Sequence, residues 1–132
     1  MNTSHPDVTM KTSPWPVAET VRRLRETLDA RGITVFATID QAAAARDAGL
    51  ELRDTVLIIF GNPAGGTPVM EAAPLAALDL PLKLLVWDES GQTQVSYLTP
   101  TVLAARWGLP EHLAAPLAAP NALTDAVLGS GA

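Results

Sequence analysis

The residues best placed to do chemistry sit in Ile59-Phe60-Gly61-Asn62-Pro63-Ala64-Gly65-Gly66-Thr67-Pro68, a glycine-rich stretch that follows an apolar run. Free backbone N–H groups at a helix start, joined by the Thr67 hydroxyl, suit a small anion such as a phosphate or carboxylate. Gly61 and Gly66 have the spacing of a nucleotide-binding loop, but Thr67 stands where that loop needs lysine, and Pro68 has no N–H to offer. That leaves a small-anion site or a tight loop whose glycines only permit unusual backbone angles. Asp40, between an apolar alternation and a helical segment, has the position of a general base, a ligand contact or a helix cap. Asp79, flanked by Leu78 and Leu80, would become an acid if burial raised its pKa, and a turn former otherwise. The candidate ligand site is therefore Asp40, Gln41, Asn62, Gly65, Gly66 and Thr67, with no catalytic residue assigned.

Other chemistries find no support. There is no cysteine, which excludes thiol nucleophiles, disulfides and cysteine-bound zinc. His5 and His112 have no neighbouring ligand partner, so no metal and no cofactor are expected. No serine sits in a Gly-x-Ser-x-Gly turn. Trp87, Tyr97 and Trp107 read as core or interface residues, with pocket lining as the alternative.

The elements that would hold these residues follow from periodicity. Val17, Val21, Leu24 and Leu28 form one stripe of an amphipathic helix that starts near Pro14 or Pro16 and stops at Gly32. Ile33–Ile39 alternates as a strand, Gln41–Ala48 forms a helix capped by Asp40 and ended by Gly49, and Thr55–Phe60 is an interior strand. Thr67 is predicted to cap a helix running to about Ala73, with Pro74 forcing a fresh turn over Leu75–Leu78. Leu82–Trp87 and Gln92–Leu98 form a hairpin about Asp88-Glu89-Ser90-Gly91, and Thr101–Trp107 a last helix closed by Gly108. The expected fold class is α+β: a two-layer sandwich with a mostly antiparallel or mixed sheet, helices on one face, and a dimer through the uncovered face. Residues 1–12 form an arm or an edge strand, 13–109 the body, and 110–132 an Ala/Pro-rich tail of short helical pieces that frays at Gly129–Ala132.

The chain has 132 residues, room for one domain with a real core. Its net charge is −5, which argues against nucleic acid and anionic membranes as partners. Residues 1–31 carry net +1, so the remainder carries −6. The cluster Arg22, Arg23, Arg25 faces Glu19 and Glu26 at helical spacing, as a solvated face does. Residues 1–16 contain no apolar run of signal-peptide type, and no stretch is long and apolar enough to span a bilayer, so the expected location is the cytoplasm.

Several ordered segments are similar to the DUF302 family. They are Thr20-Val21-x-x-Leu24, Gly32-Ile33-x-Val35-Phe36-Ala37-x-Ile39-Asp40, Ala45-x-x-Ala48-Gly49-Leu50-x-Leu52, Leu57-Ile58-Ile59-Phe60-Gly61-Asn62-Pro63, Gly66-Thr67-Pro68-x-Met70, Ala77–Lys83, and Val86-Trp87 with Gly91 and Val95-Ser96-Tyr97. The resemblance covers about residues 17–109. It implies a small bacterial or archaeal α+β domain of undefined activity that forms dimers. Relatives often carry histidine at the positions of Gln41 and Trp107, so the resemblance also implies fewer reactive side chains here. The expected function is a non-enzymatic domain that binds or senses a small polar or anionic molecule. The alternatives are a homodimeric structural or interaction module, and an enzyme using Asp40 or Asp79 as acid or base.

Overall fold

The computed structural model describes residues 3–129. The fraying expected at Gly129–Ala132 lies outside that range except for Gly129. In chain order the elements are β1 (Val8–Ser13), α1 (Val17–Ala30), β2 (Thr34–Asp40), α2 (Gln41–Asp47), β3 (Thr55–Gly61), α3 (Pro63–Ala72), a 3₁₀ turn (Pro74–Leu78), β4 (Leu82–Glu89), β5 (Gln92–Leu98), α4 (Pro100–Arg106), α5 (Glu111–Ala114), a second 3₁₀ turn (Ala115–Ala118) and α6 (Ala119–Leu128). The five strands make one antiparallel sheet in the order β1-β5-β4-β3-β2. The fold is thus α+β, with the hairpin and the edge position of Val8–Ser13 as the pattern of residues predicts. Ser90 and Gly91 both take positive φ in the hairpin turn (51° and 91°), the geometry that matches strand twist.

One face of the sheet holds the core. Val56, Ile58 and Phe60 alternate inward from β3, beside Leu84 and Val86 of β4 and Val95 and Tyr97 of β5. The stripe of α1 meets them through Val17, Leu24 and Leu28, and α6 through Leu123 and Leu128. The tail is therefore part of the same core as the body. The interleaved side chains Leu57, Ile59 and Leu85 point to the opposite face and are only half-buried, which is what a period of two requires of an apolar run covered on one side.

α1 starts at Pro16, which has no side chain to cap it. Instead Ser13 and Thr20, both buried, place their hydroxyls 2.6 Å apart, and Thr20 donates to the Pro16 carbonyl at 3.0 Å. This ties the end of β1 to the first turn of α1. On the solvent side Arg22 pairs with Glu19 and Glu26, and Arg23 with Glu19 while lying 3.9 Å over the Trp15 ring. The hydrogen bonds from Arg22 and Arg23 hold the Glu19 carboxyl down at about 2.

α6 is fastened to the same edge strand. Lys11 of β1 donates to Thr124 Oγ1 (2.6 Å) and to Asp125 Oδ1 (2.8 Å), and lies 5.8 Å from the centroid of the Tyr97 ring. Tyr97 and Asn121 Oδ1 are 2.6 Å apart, and Thr124 donates to the Pro120 carbonyl at 2.7 Å. Burial alone would lower the Lys11 pKa, but hydrogen bonds to Asp125 and Tyr97 outweigh it and raise the value. Lys11→Met should cost about 1 kcal/mol, below the roughly 1.5–3 kcal/mol of buried charge-assisted bonds because the Lys11 and Asp125 side chains are 26% and 46% exposed. Because the folded pKa is raised, the Lys11 contribution is complete below pH about 10.5 and disappears as pH rises through the folded value. Urea unfolding of the two chains should therefore differ at pH 7 and converge in strong alkali.

Candidate functional site

The candidate residues fall into two groups at opposite ends of β2. In the β2–β3 register Thr34 pairs with Gly61 and Asp40 with Val56. The six-residue offset at about 3.3 Å per residue puts Asp40 roughly 20 Å from the Gly61 end. Asp40 accepts the Ala43 N–H at 2.9 Å and caps α2, and Gln41 is exposed in the first turn. The single site expected from Asp40, Gln41, Asn62, Gly65, Gly66 and Thr67 is thus not assembled, because antiparallel pairing sends the ends of β2 and β3 in opposite directions.

The glycine-rich stretch is also not an open loop. α3 begins at Pro63, with Asn62 as its cap, five residues before the predicted start at Pro68 with its Thr67 cap. Asn62 Oδ1 accepts the Ala64 N–H (3.0 Å), and the Asn62 carbonyl accepts those of Gly65 (2.9 Å) and Gly66 (3.0 Å). Asn62-Pro63 and Thr67-Pro68 are equivalent start signals in sequence, a capping side chain followed by proline. The earlier one prevails because it directly continues β3, and Pro68 then lies within the helix. The N–H groups of Ala64, Gly65 and Gly66 that would have bound an anion are consumed by this turn.

Asn62, Gly65, Gly66 and Thr67 nevertheless share a location. They line a cleft of about 200 Å³ at the end of the sheet, together with Ile33, Phe36, Phe60, Gly61, Pro63, Met70, Leu80, Pro81, Leu82, Pro116, Leu117 and Ala119. No charged side chain lines it. Each wall has a local cause. A register shift between Val35 and Ala37 makes a bulge in β2 that turns Phe36 outward, leaving it 54% exposed. Gly61 lies beneath that ring: a Cβ there would make ordinary contacts, 3.4 Å from Phe36 Cε2 and 3.5 Å from Pro81 Cβ. Gly65 lets the C-terminal segment close against α3, since a Cβ on it would meet Pro116 Cβ at 2.9 Å. Val69 of α3 is buried, and Leu117 is buried beside it at the base of the helical cap. Phe36 was hidden in the sequence because plain alternation gives no sign of a bulge. Met70 and Pro116 carried no site signal at all.

The remaining polar candidates serve as anchors. Asp79 Oδ2 accepts from Trp107 Nε1 (2.7 Å) and Arg106 (2.8 Å), which pins the end of the first 3₁₀ turn to α4. Trp107 thus supplies a ring N–H to this anchor. Trp87 donates to Ser96 Oγ at 2.9 Å on the half-buried face. None of Trp87, Tyr97 and Trp107 lines the cleft. Among the described residues no three His, Asp or Glu side chains converge as metal ligands do.

Comparisons with known proteins agree with this architecture. Residues 8–127 match the family described as Domain of unknown function DUF302. Over 94 residues the chain is 42% identical to the protein named Fluoride-specific ion channel FluC 1 of Brucella suis biovar 1 (strain 1330), covering 70% of this chain and 37% of that protein. The same identity and length hold for Fluoride-specific ion channel FluC 2 of Brucella melitensis biotype 1 (strain ATCC 23456 / CCUG 17765 / NCTC 10094 / 16M), where 35% is covered. The chain therefore spans little more than a third of the curated relatives it matches. Among solved structures, an uncharacterized conserved protein DUF302 from Bacillus stearothermophilus shares the fold, with a TM-score of 0.78, 24% identity, and coverage of 94% of this chain and 97% of that one.

Two adjacent glycines test the packing of the cleft wall. Alanine at Gly66, where a Cβ would meet only Met70 Cε at 3.9 Å, should stabilise the protein by about 0.5–1 kcal/mol through helix propensity. Alanine at Gly65 should destabilise it by about 1–2 kcal/mol, because overpacking against Pro116 exceeds the same propensity gain. Equilibrium urea unfolding of the two variants should show shifts of opposite sign.

Proposed function

The chain belongs to the DUF302 family, and from that premise we propose that it is a non-enzymatic small-molecule-binding domain whose site is the cleft at the end of the sheet. The observation that carries this reading is an open cleft of about 200 Å³ with apolar walls, smaller than drug-sized pockets but larger than the roughly 150 Å³ cavity that takes up benzene, and lined by no ionisable side chain. Asp40 and Asp79, the two carboxylates an enzyme would have used, are occupied in capping α2 and anchoring α4. The walls favour a largely apolar occupant over the polar or anionic one that a free glycine loop would have held.

Fluoride conduction is not carried over to this chain. The alignment spans little more than a third of the channel-named relatives, and no helix among the described residues is long and apolar enough to cross a membrane. Occurrence of this segment within such proteins instead favours sensing, with occupancy of the cleft passed to a linked or partnered protein. A ligand for the native state alone raises the melting temperature by mass action, contributing about 2.7 kcal/mol at a hundredfold excess over Kd. Screening a panel of small apolar compounds by thermal shift should find one that stabilises the native chain and fails to stabilise Gly66→Leu, whose side chain fills the cleft. A panel that leaves the native chain unmoved argues against the reading.

A homodimer through the second sheet face is favoured by one further observation. Cross-strand pairing aligns Ile39, Leu57 and Leu85 in a row on that face, outside the core cluster, with Ser96 and then Met10 continuing it and Ile39 37% exposed. Sedimentation equilibrium should give a dimer for the native chain and a monomer for Leu57→Glu/Leu85→Glu. A monomer mass for the native chain across micromolar to millimolar concentration rejects the dimer.

A further inference from the structure

Resting on the cleft as a binding site, we infer the class of its ligand: a neutral molecule the size of one substituted six-membered ring, carrying a single hydrogen-bonding group at the α3 end. Charge decides the first part. None of the lining residues is ionisable, and the chain as a whole is at −5. An ion entering the cleft would lose hydration with no countercharge to replace it, and an anion would also meet the repulsive overall field.

Size and shape decide the second. The volume of about 200 Å³ compares with roughly 150 Å³ for an apolar cavity that takes up benzene, so it admits a ring with a short substituent. Pro81 and Pro116 present rigid ring surfaces and Phe36 a flat aromatic one, which suits a rigid flat occupant. A flexible acyl chain would lose more conformational entropy on entering such walls. Met70 supplies the one adaptable wall, through a thioether that makes favourable contacts with aromatic edges.

The polar part comes from two side chains. Asn62 Oδ1 is occupied by the Ala64 N–H, so its amide Nδ2–H₂ remains as a donor. The Thr67 hydroxyl makes no hydrogen bond among the described residues. Both border the cleft on its α3 side, so a hydroxyl or carbonyl on the ring can be bound there while the ring occupies the apolar part.

The test uses four probes with the isotopically labelled native chain: benzyl alcohol, toluene, benzoate and 1-octanol. Binding is read from the Gly65 and Gly66 amide and Met70 methyl resonances. Benzyl alcohol should titrate these signals and bind more tightly than the other three probes. Thr67→Val, which keeps the side-chain shape, should weaken benzyl alcohol roughly three- to tenfold and leave toluene within about twofold. Benzoate or octanol binding as tightly as benzyl alcohol, or equal affinity of native and Thr67→Val for benzyl alcohol, overturns the ligand class while leaving the cleft as a binding site. Resonances unmoved by all four probes overturn both.

Discussion

The packing of α6 beside α1 on one face of the sheet is the constraint from which the cleft follows. Five strands present more apolar surface than the fourteen residues of α1 can cover, and Val95, Tyr97 and Val86 need a second helix. The chain supplies it from its far end. To bring Leu123 and Leu128 onto that face, the segment after α4 must cross the end of the sheet where β3 finishes and β4 begins. In crossing, Pro116 seats against the bare Cα of Gly65, and Leu117 is buried beneath the helical cap. The cleft is the space between that crossing segment, α3 and the strand ends. Lys11, Tyr97, Thr124, Asn121 and Asp125 form the polar clasp that holds α6 in place, so the wall of the cleft is tied to the opposite edge of the sheet.

Polar groups elsewhere are spent on holding elements in register. Asp40 and Asn62 satisfy N–H groups that helix starts leave without partners, while the Ser13–Thr20 hydroxyl pair ties the end of β1 to the first turn of α1 without capping it. Asp79 joins the first 3₁₀ turn to α4 through Arg106 and Trp107. Asp40 and Asp79 are thus engaged in structural contacts, and the cleft itself is lined by apolar and uncharged residues. That fits a chain with no cysteine.

Much of the fold was legible because its signals are local. The stripe of α1 reports a 3.6-residue period, the run of β3 a length suited to a strand, and Ser90-Gly91 a turn that few other residues make. Asp40 as a cap was legible for the same reason. The site was less so. Asn62-Pro63 and Thr67-Pro68 are equivalent as local signals, and only the continuation from β3 selects the first. Phe36 sits in a regular alternation, and its outward turn depends on how β2 pairs with β3, which involves residues more than twenty positions away.

By itself, then, the sequence determined the class of the fold, the order of the elements between residues 17 and 107, and the absence of the chemistry that cysteine would have supplied, since each of these depends on residue type and short-range spacing. Tertiary structure decided which candidates meet. Antiparallel pairing carried Asp40 and Gln41 to one end of the sheet and left Asn62, Gly65, Gly66 and Thr67 at the other. The return of the C-terminal segment then set Pro116 and Leu117 opposite them, turning a stretch that reads as an anion loop into one wall of an uncharged cleft. The physical reason is that a backbone N–H is available to a ligand only when no neighbouring carbonyl takes it. That depends on where the chain goes next and what it packs against.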